Sequence, residues 1–309
     1  MKFPSPSITP PVLSNWQHSY LGLTFGVNAG GIGIVGIDGL DMAQLRSADM
    51  TRARSQGELT GLDLYPGRDI TYDLFLNADS ADTFIQNQVN LATVTQSQGS
   101  TEQPLWFQLP GMEILCVMAR PRARTMAWDF NYSAANIGSP TIMFHATSPF
   151  IWGQGQSASV GVSPTIGSLT FPATFPLTFG STSPNTMVAT NAGNVTMSPV
   201  LVLTGPMTNP TIANISISGS PYITVSNPTQ TGYTILSGDQ MTIDLDTHDV
   251  LYYSGGMAHG TPAARPSWIV SGSTWWTLPP GSNTIQLSTQ DSAATAGSAA
   301  IWWADAWLI

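Results

Sequence analysis

The sequence predicts a mainly β protein of two domains, and three observations lead there. The chain is 309 residues long with 42% apolar residues, enough for two separate cores. Its 29 glycines and 23 prolines are scattered as turn signals, too few for a disordered composition. Most apolar residues alternate with polar ones, and helical periodicity is confined to one segment. The boundary is expected near residue 155, with an N-terminal β domain carrying one helix (residues 1–155). A C-terminal antiparallel β-sandwich of jelly-roll or galectin-like type is expected over residues 156–309.

Taken in order, the first patterned stretch is NAGGIGIVGIDGLD, from Asn28 to Asp41. Gly31, Gly33 and Gly36 give the G-x-G-x-x-G spacing of a dinucleotide loop, but that loop needs a helix after it to offer amides to a pyrophosphate. No helical period begins after Gly36. The stretch reads as short strands, with Ile32, Ile34, Ile37 and Leu40 facing a core and a hairpin turned at Asp38-Gly39. Gly36→Ala or Gly39→Ala is therefore expected to impair folding or assembly. RDITYDLFLNA comes next as a strand with Ile70, Tyr72, Leu74 and Leu76 on one side and Thr71, Asp73 and Phe75 on the other. SADTFIQNQVNLATVTQ predicts the helix, capped by Asp79 or Ser80, with Asp82 in its first turn and Phe84, Ile85, Val89 and Ala92 as its apolar stripe.

Further strands are expected at MEILCVMARP, TMAWDFNYS and TIMFHATSPF, and GQGQSASVGVSP (153–164) reads as a linker. Beyond it, β-type runs recur every 8 to 14 residues, from SPVLVLTGP to AAIWWADAWLI. Cys116, the single cysteine, lies in the apolar run MEILCVM, where a buried, inert thiol is expected.

Charge narrows the function classes. Charged residues are 9% of the chain, Lys2 is the single lysine, and the net charge is −9, so nothing can neutralise a run of phosphates and no nucleic-acid partner is expected. Seven of the eight arginines (Arg46, Arg52, Arg54, Arg68, Arg120, Arg122 and Arg124) precede residue 125, which marks the halves as chemically different. Prolines interrupt the first fifteen residues where a secretion signal needs an apolar stretch, and the longest apolar run, at the C-terminus, contains Asp305. Neither signal peptide nor membrane contact is expected.

Candidate chemistry fails motif by motif. IDLDTHDV gathers Asp244, Asp246, His248 and Asp249, yet lacks the Gly and Glu positions of a calcium loop. A solvated hairpin explains it, with Met241, Ile243 and Leu245 inward, although Asp246, His248 and Asp249 leave a weak ion open. No G-x-S-x-G occurs, His18, His145, His248 and His259 stand in unrelated contexts, and three glutamates offer no glycosidase pair. No enzyme activity, cofactor or metal is expected. Trp268, Trp275, Trp276, Trp302, Trp303 and Trp307 crowd the last 42 residues; within each adjacent pair, one ring should enter the core and one should face outward. Outward rings could stack on sugars or anchor a partner.

The second half carries, in order, NAGNVTMSPVLVLTGPMTNPTIAN, LSGDQMTIDLDTHDV, SWIVSGSTWWTLPPGSNTIQL and AAIWWADAWLI. The first half carries the long stretch from Gly33 to Ala78, then IMFHATSPFIWG and FPATFPLTFG. This ordered set, above all its N-x-G-N, G-P, N-P and L-P-P-G-x-N elements, resembles the phage distal tail proteins, including minor tail proteins of long, non-contractile-tailed phages. The resemblance implies a structural protein of the virion tail tip, made in the host cytoplasm, with six copies in a ring. Its N-terminal domain would build the ring and its sandwich project outward. Tail tube protein, tail-tip hub protein and other minor tail proteins are the implied partners, and no catalysis is implied. The alternative is a carbohydrate-binding protein docking host cell-wall glycan through exposed tryptophans of the sandwich.

Overall fold

A computed structural model describes residues 3–41, 45–97, 99–126, 134–162, 185–228, 234–290 and 297–308. The fold is mainly β with one α-helix, and it divides into two compact units: Lys2–Gln154 with Ala306–Ile309, and Gly155–Asp305 with Met1. The chain crosses between them inside two strands.

In the N-terminal unit, β1 (Gln17–Tyr20) and β2 (Leu23–Gly26) form a hairpin turned at Leu21-Gly22, both at positive φ. After β3 (Ile32–Asp38) come the short pair β4 (Met50–Thr51) and β5 (Glu58–Leu59), and then β6 (Arg68–Asn77). Helix α1 (Ala81–Val94), β7 (Gln103–Gln108), β8 (Ile114–Thr125), β9 (Ile137–Gly138), β10 (Thr141–Ala146) and the first four residues of β11 (Ile151–Gly161) complete it. The ladder runs β3-β6-β10-β8-β7-β1-β2, antiparallel throughout. β6 keeps its predicted alternation: Ile70, Tyr72, Leu74 and Leu76 are buried, while Asp73 and Phe75 face out. They join Tyr20, Phe25, Phe107 and Phe144 in an aromatic core, each large side chain contributing about 1.5–3 kcal/mol by burial.

The helix begins as its sequence predicts, with Ser80 Oγ accepting from Thr83 N at 3.2 Å. Its buried face differs from the expected stripe. Phe84, Gln88 and Leu91 turn inward, whereas Ile85 and Val89 are about half exposed. The i, i+4, i+7 set that meets β2 and β6 includes a glutamine, so apolarity alone selected the neighbouring face. Arg124 Nη1 donates to Ala92 O at 2.7 Å and to Thr95 Oγ1 at 2.6 Å, placing a cation at the helix C-terminus, where the dipole favours one.

Two expectations fail here for physical reasons. Residues 153–162 are no linker, because β11 continues to Gly161 with alternating burial although its residues are small. Asp38-Gly39 turns no local hairpin; β3 pairs with β6, and the chain between them leaves the sheet. The predicted strand at TMAWDFNYS ends, among the described residues, with β8 at Thr125, and positions 127–133 lie outside them.

The C-terminal unit is the antiparallel β-sandwich the sequence predicts. Its strands are β12 (Thr186–Asn191), β13 (Val200–Thr204), β14 (Thr211–Asn214), β15 (Tyr222–Thr224), β16 (Gln240–Asp244), β17 (Val250–Tyr253), β18 (Ala263–Ala264), β19 (Gly281–Ser288) and β20 (Ser298–Trp307). One sheet runs β18-β17-β16-β13-β20-β11, the other β12-β19-β14-β15. SWIVSGS is a single 3-10 turn at Pro266–Trp268 plus one bridge from Ile269 to Val225, rather than a strand. FPATFPLTFG lies outside the described residues.

Candidate assembly surfaces

Of the three glycines in dinucleotide-loop spacing, Gly31 precedes β3 and Gly33 and Gly36 lie within it, and the strand leads into a loop, not a helix. Gly31 and Gly39 have φ of +88° and +85°, and a Cβ on either would overlap a backbone carbonyl oxygen, that of Asn77 or Asp69. Gly36 differs from its expected role. It lies at the bulge where β3 shifts register against β6, its φ is ordinary, and a Cβ would meet Asp73 Oδ2 at 3.7 Å, ordinary contact. Sequence spacing alone could not separate a glycine that closes a turn from one that merely occupies a bulge.

Between β3 and β6, residues 45–66 form a two-stranded ribbon. Arg46 and Leu64 exchange both backbone hydrogen bonds at 2.8 and 3.0 Å, Asp49 Oδ1 accepts from Gly61 N at 2.6 Å, and β4 pairs with β5. The hydrogen bond from Gly61 holds the Asp49 carboxyl below its usual range. At the base, buried Arg68 donates to Leu40 O at 2.9 Å and to Pro149 O, tying both ribbon ends to the unit. Burial pulls its guanidinium below the usual value, and Asp41 opposes that. A Cβ at Gly67 would stand 2.5 Å from Ala146 O, so the base is closely packed. The ribbon itself is not covered: Met50 is 67%, Leu59 54% and Leu62 70% exposed, with Leu45, Leu64 and Tyr65 also in water.

A groove of about 370 Å³ in the same unit is lined by Trp16, His18, Val27 and Ile34 to Ile37. Among the described strands β3, which lines the groove from Ile34 to Ile37, pairs only with β6 and so leaves one edge free. Trp16, Val27 and Val35 stand more than half exposed on its rim. His18 on the floor is stacked between Phe25 and Phe107, and its Nδ1 lies 2.9 Å from Tyr72 Oη. Burial pulls the imidazole down to about 4. The ring is therefore neutral at pH 7, and its Nε2 has no partner among the described residues. A second, open groove of about 680 Å³ runs along Arg120, Arg122 and Arg124 of β8 and the turn after α1.

The residues singled out in the C-terminal half take structural places. Asp244 Oδ1 accepts from Asp246 N at 2.9 Å and Thr247 N at 3.3 Å, while Thr247 Oγ1 donates to Asp249 Oδ2 at 2.6 Å. His248, at φ +63°, stacks on Trp275 with ring centroids 4.2 Å apart. The acidic segment is thus a self-bonded turn between β16 and β17; among the described residues no group of three His, Cys, Asp or Glu side chains is placed to hold a metal. Both tryptophan pairs split, with Trp276 and Trp303 buried and Trp275 and Trp302 partly open, but only Trp302 and Trp303 do so within a strand as expected; TWWTLPPG forms no strand beyond a bridge from Leu278 to Met197. Trp275 gives one face to His248, and Trp268 packs on Tyr252 beneath Arg265. Among the described tryptophans the one that stands well into solvent is Trp16, in the other unit, which aromatic clustering could not reveal.

The asparagines of the recurring elements are buried turn fasteners. Asn191 Nδ2 donates to Val195 O and Leu278 O, and its Oδ1 accepts from Gly193 N. Asn283, of the L-P-P-G-x-N element, donates to Pro279 O and Gly281 O and accepts from Asn214 Nδ2. Cys116 is fully buried in β8, and burial pushes its thiol well above the usual value.

A two-unit, mainly β chain with one helix and a terminal sandwich is an architecture found among solved phage tail-hub structures. The SPP1 Dit (gp 19.1) protein, a hub adsorption apparatus protein of phages infecting Gram-positive bacteria, matches over 94% of this chain and 98% of its own. The TM-score is 0.60 and the identity 12%. A chain of the phage P2 baseplate in its activated conformation with Ca matches over 93% and 97%, with TM-score 0.50 and 10% identity. At such identities the likeness is one of fold. No family model matches the sequence, and no curated protein matches it.

Proposed function

We propose that the chain is a structural protein of a phage tail tip, six copies of which form a ring joining the tail tube to the tail-tip hub. The observation that carries this is the end-to-end match to SPP1 Dit, which takes in both units and leaves almost nothing of either chain unmatched. The ordered sequence elements of both halves support the same reading independently of the fold. Residues 1–155 would build the ring and 156–309 project from it, with tail tube protein, hub protein and other minor tail proteins as partners. The site chemistry agrees with an assembly role: the N-terminal unit leaves several large apolar side chains open, among them Trp16, Val35, Met50 and Leu62, and the charge-poor composition makes burial between subunits inexpensive in solvation. No catalytic step is assigned.

Mass measurement and negative-stain microscopy of the purified chain, alone and with its tail tube protein, test this. A closed ring of six copies is the expected result. A monomer that persists at micromolar concentration under both conditions refutes it.

A further inference from the structure

The N-terminal unit leaves two sets of apolar side chains uncovered. The ribbon carries Met50, Leu59, Leu62 and Leu64 in water, and the groove along β3 is rimmed by Trp16, Val27 and Val35. We infer that the ribbon of one copy seats in the groove of the next, so that Leu59 and Leu62 lie against Trp16 and Val35. The inference rests on the ring reading above and specifies its contact.

Four observations identify the occupant. First, a two-stranded ribbon alone in water is marginal at best, yet this one is built with paired backbone, an Asp49 clasp and a buried Arg68 at its base. Its order calls for a cover. Second, the six exposed apolar side chains amount to several hundred Å², a large share of the ~800 Å² per partner of a stable interface. Third, the groove offers no carboxylate or cation: every lining residue is apolar or glycine except His18, which burial keeps neutral. It therefore accepts the ribbon's apolar side chains, while the exposed Arg52, Arg54, Glu58 and Asp63 of the same ribbon stay outside it. Fourth, both surfaces belong to one chain but the ribbon leaves its own groove open. Two different patches joined head to tail make a heterologous contact, and a closed ring satisfies every copy. Trp16, the exposed aromatic beside a hollow, has the character of an interface anchor.

The test uses the full chain, whose one native cysteine is buried. Val35→Cys and Leu62→Cys chains are prepared separately, mixed, and treated with a short bismaleimide under assembly conditions; Leu59→Ser/Leu62→Ser is measured beside wild type. The inference expects a cross-linked dimer in the mixture only, a ladder up to six when one chain carries both cysteines, and at least a tenfold rise in the concentration needed for half-assembly of the serine variant. Thermal unfolding confirms that the variants are folded. Wild-type rings of six with no cross-link, or serine-variant rings at wild-type concentration, overturn the ribbon contact and leave the ring standing. Failure of wild type to form rings removes both.

Discussion

Gly36 and Gly39 look alike in the sequence, three residues apart in one glycine-rich stretch, and the structure gives them opposite tolerances. Gly39 has φ +85° and its added Cβ would overlap Asp69 O. Forcing an alanine into the left-handed region costs about 1–2 kcal/mol, and relieving an overlap against backbone, which cannot rotate away, adds about 1–3 kcal/mol. Gly39→Ala should therefore lose about 2–5 kcal/mol, or roughly 4–20 °C in the transition of the N-terminal unit at the usual 2–4 °C per kcal/mol for units of this size. Gly36 has ordinary φ and 3.7 Å of clearance to Asp73 Oδ2, so its alanine should stay within about 0.5 kcal/mol of wild type or gain slightly from the stiffer unfolded chain. Paired urea titrations, with intrinsic fluorescence and circular dichroism, read both. Equal losses at the two positions would show that strand pairing rather than φ and clearance sets glycine tolerance here.

Three further outcomes are expected. His18 is pulled down to about 4 from an unfolded value near 6.5, so its share of stability is complete above pH 6.5 and is lost as pH falls through 4; about 3 kcal/mol should vanish across that window, and His18→Gln should flatten it in urea titrations at successive pH values. Asp305 accepts from Gln156 Nε2 and Ala192 N at 2.9 and 2.8 Å inside the sandwich, so Asp305→Ala should cost about 1–3 kcal/mol for each stranded donor, read by calorimetry of the C-terminal transition. Trp276→Ala should lose about 3–5 kcal/mol whereas Trp275→Ala, at a partly open ring, should lose less, and equal unfolding midpoints for the two would contradict the burial assignment.

Those tryptophans also mark how far the sequence alone can be read. Adjacent residues in a strand must part to opposite faces, so the buried Trp303 and open Trp302 of β20 follow from pleat geometry alone, whereas Trp275 and Trp276 divide in the same way within a segment that forms no strand. The same reasoning places Met241, Ile243 and Leu245 inward before the His248 turn, and capping chemistry places Ser80 at the head of α1. The readings that failed depended on partners distant in sequence. Which side of α1 is buried was decided by β2 and β6, and they accepted Gln88 over Ile85. β11 passes for a linker because serines, glycines and alanines carry no alternation signal; its neighbours in the sheet impose one. The ribbon was invisible for a related reason: Met50, Leu59 and Leu62 have the apolar character of core residues, and only the fold reveals that no described residue of their own chain covers them.

The three buried asparagines carry a consequence for how such a sandwich can change over time. Asn191, Asn214 and Asn283 fasten their turns from the inside, through side-chain bonds to backbone carbonyls and amides, so the course of each loop does not depend on which residues it shows to water. Outward positions on those turns are then free to drift while the path of the chain stays fixed. A molecule tied in this way can present a continually renewed exterior on an unaltered frame.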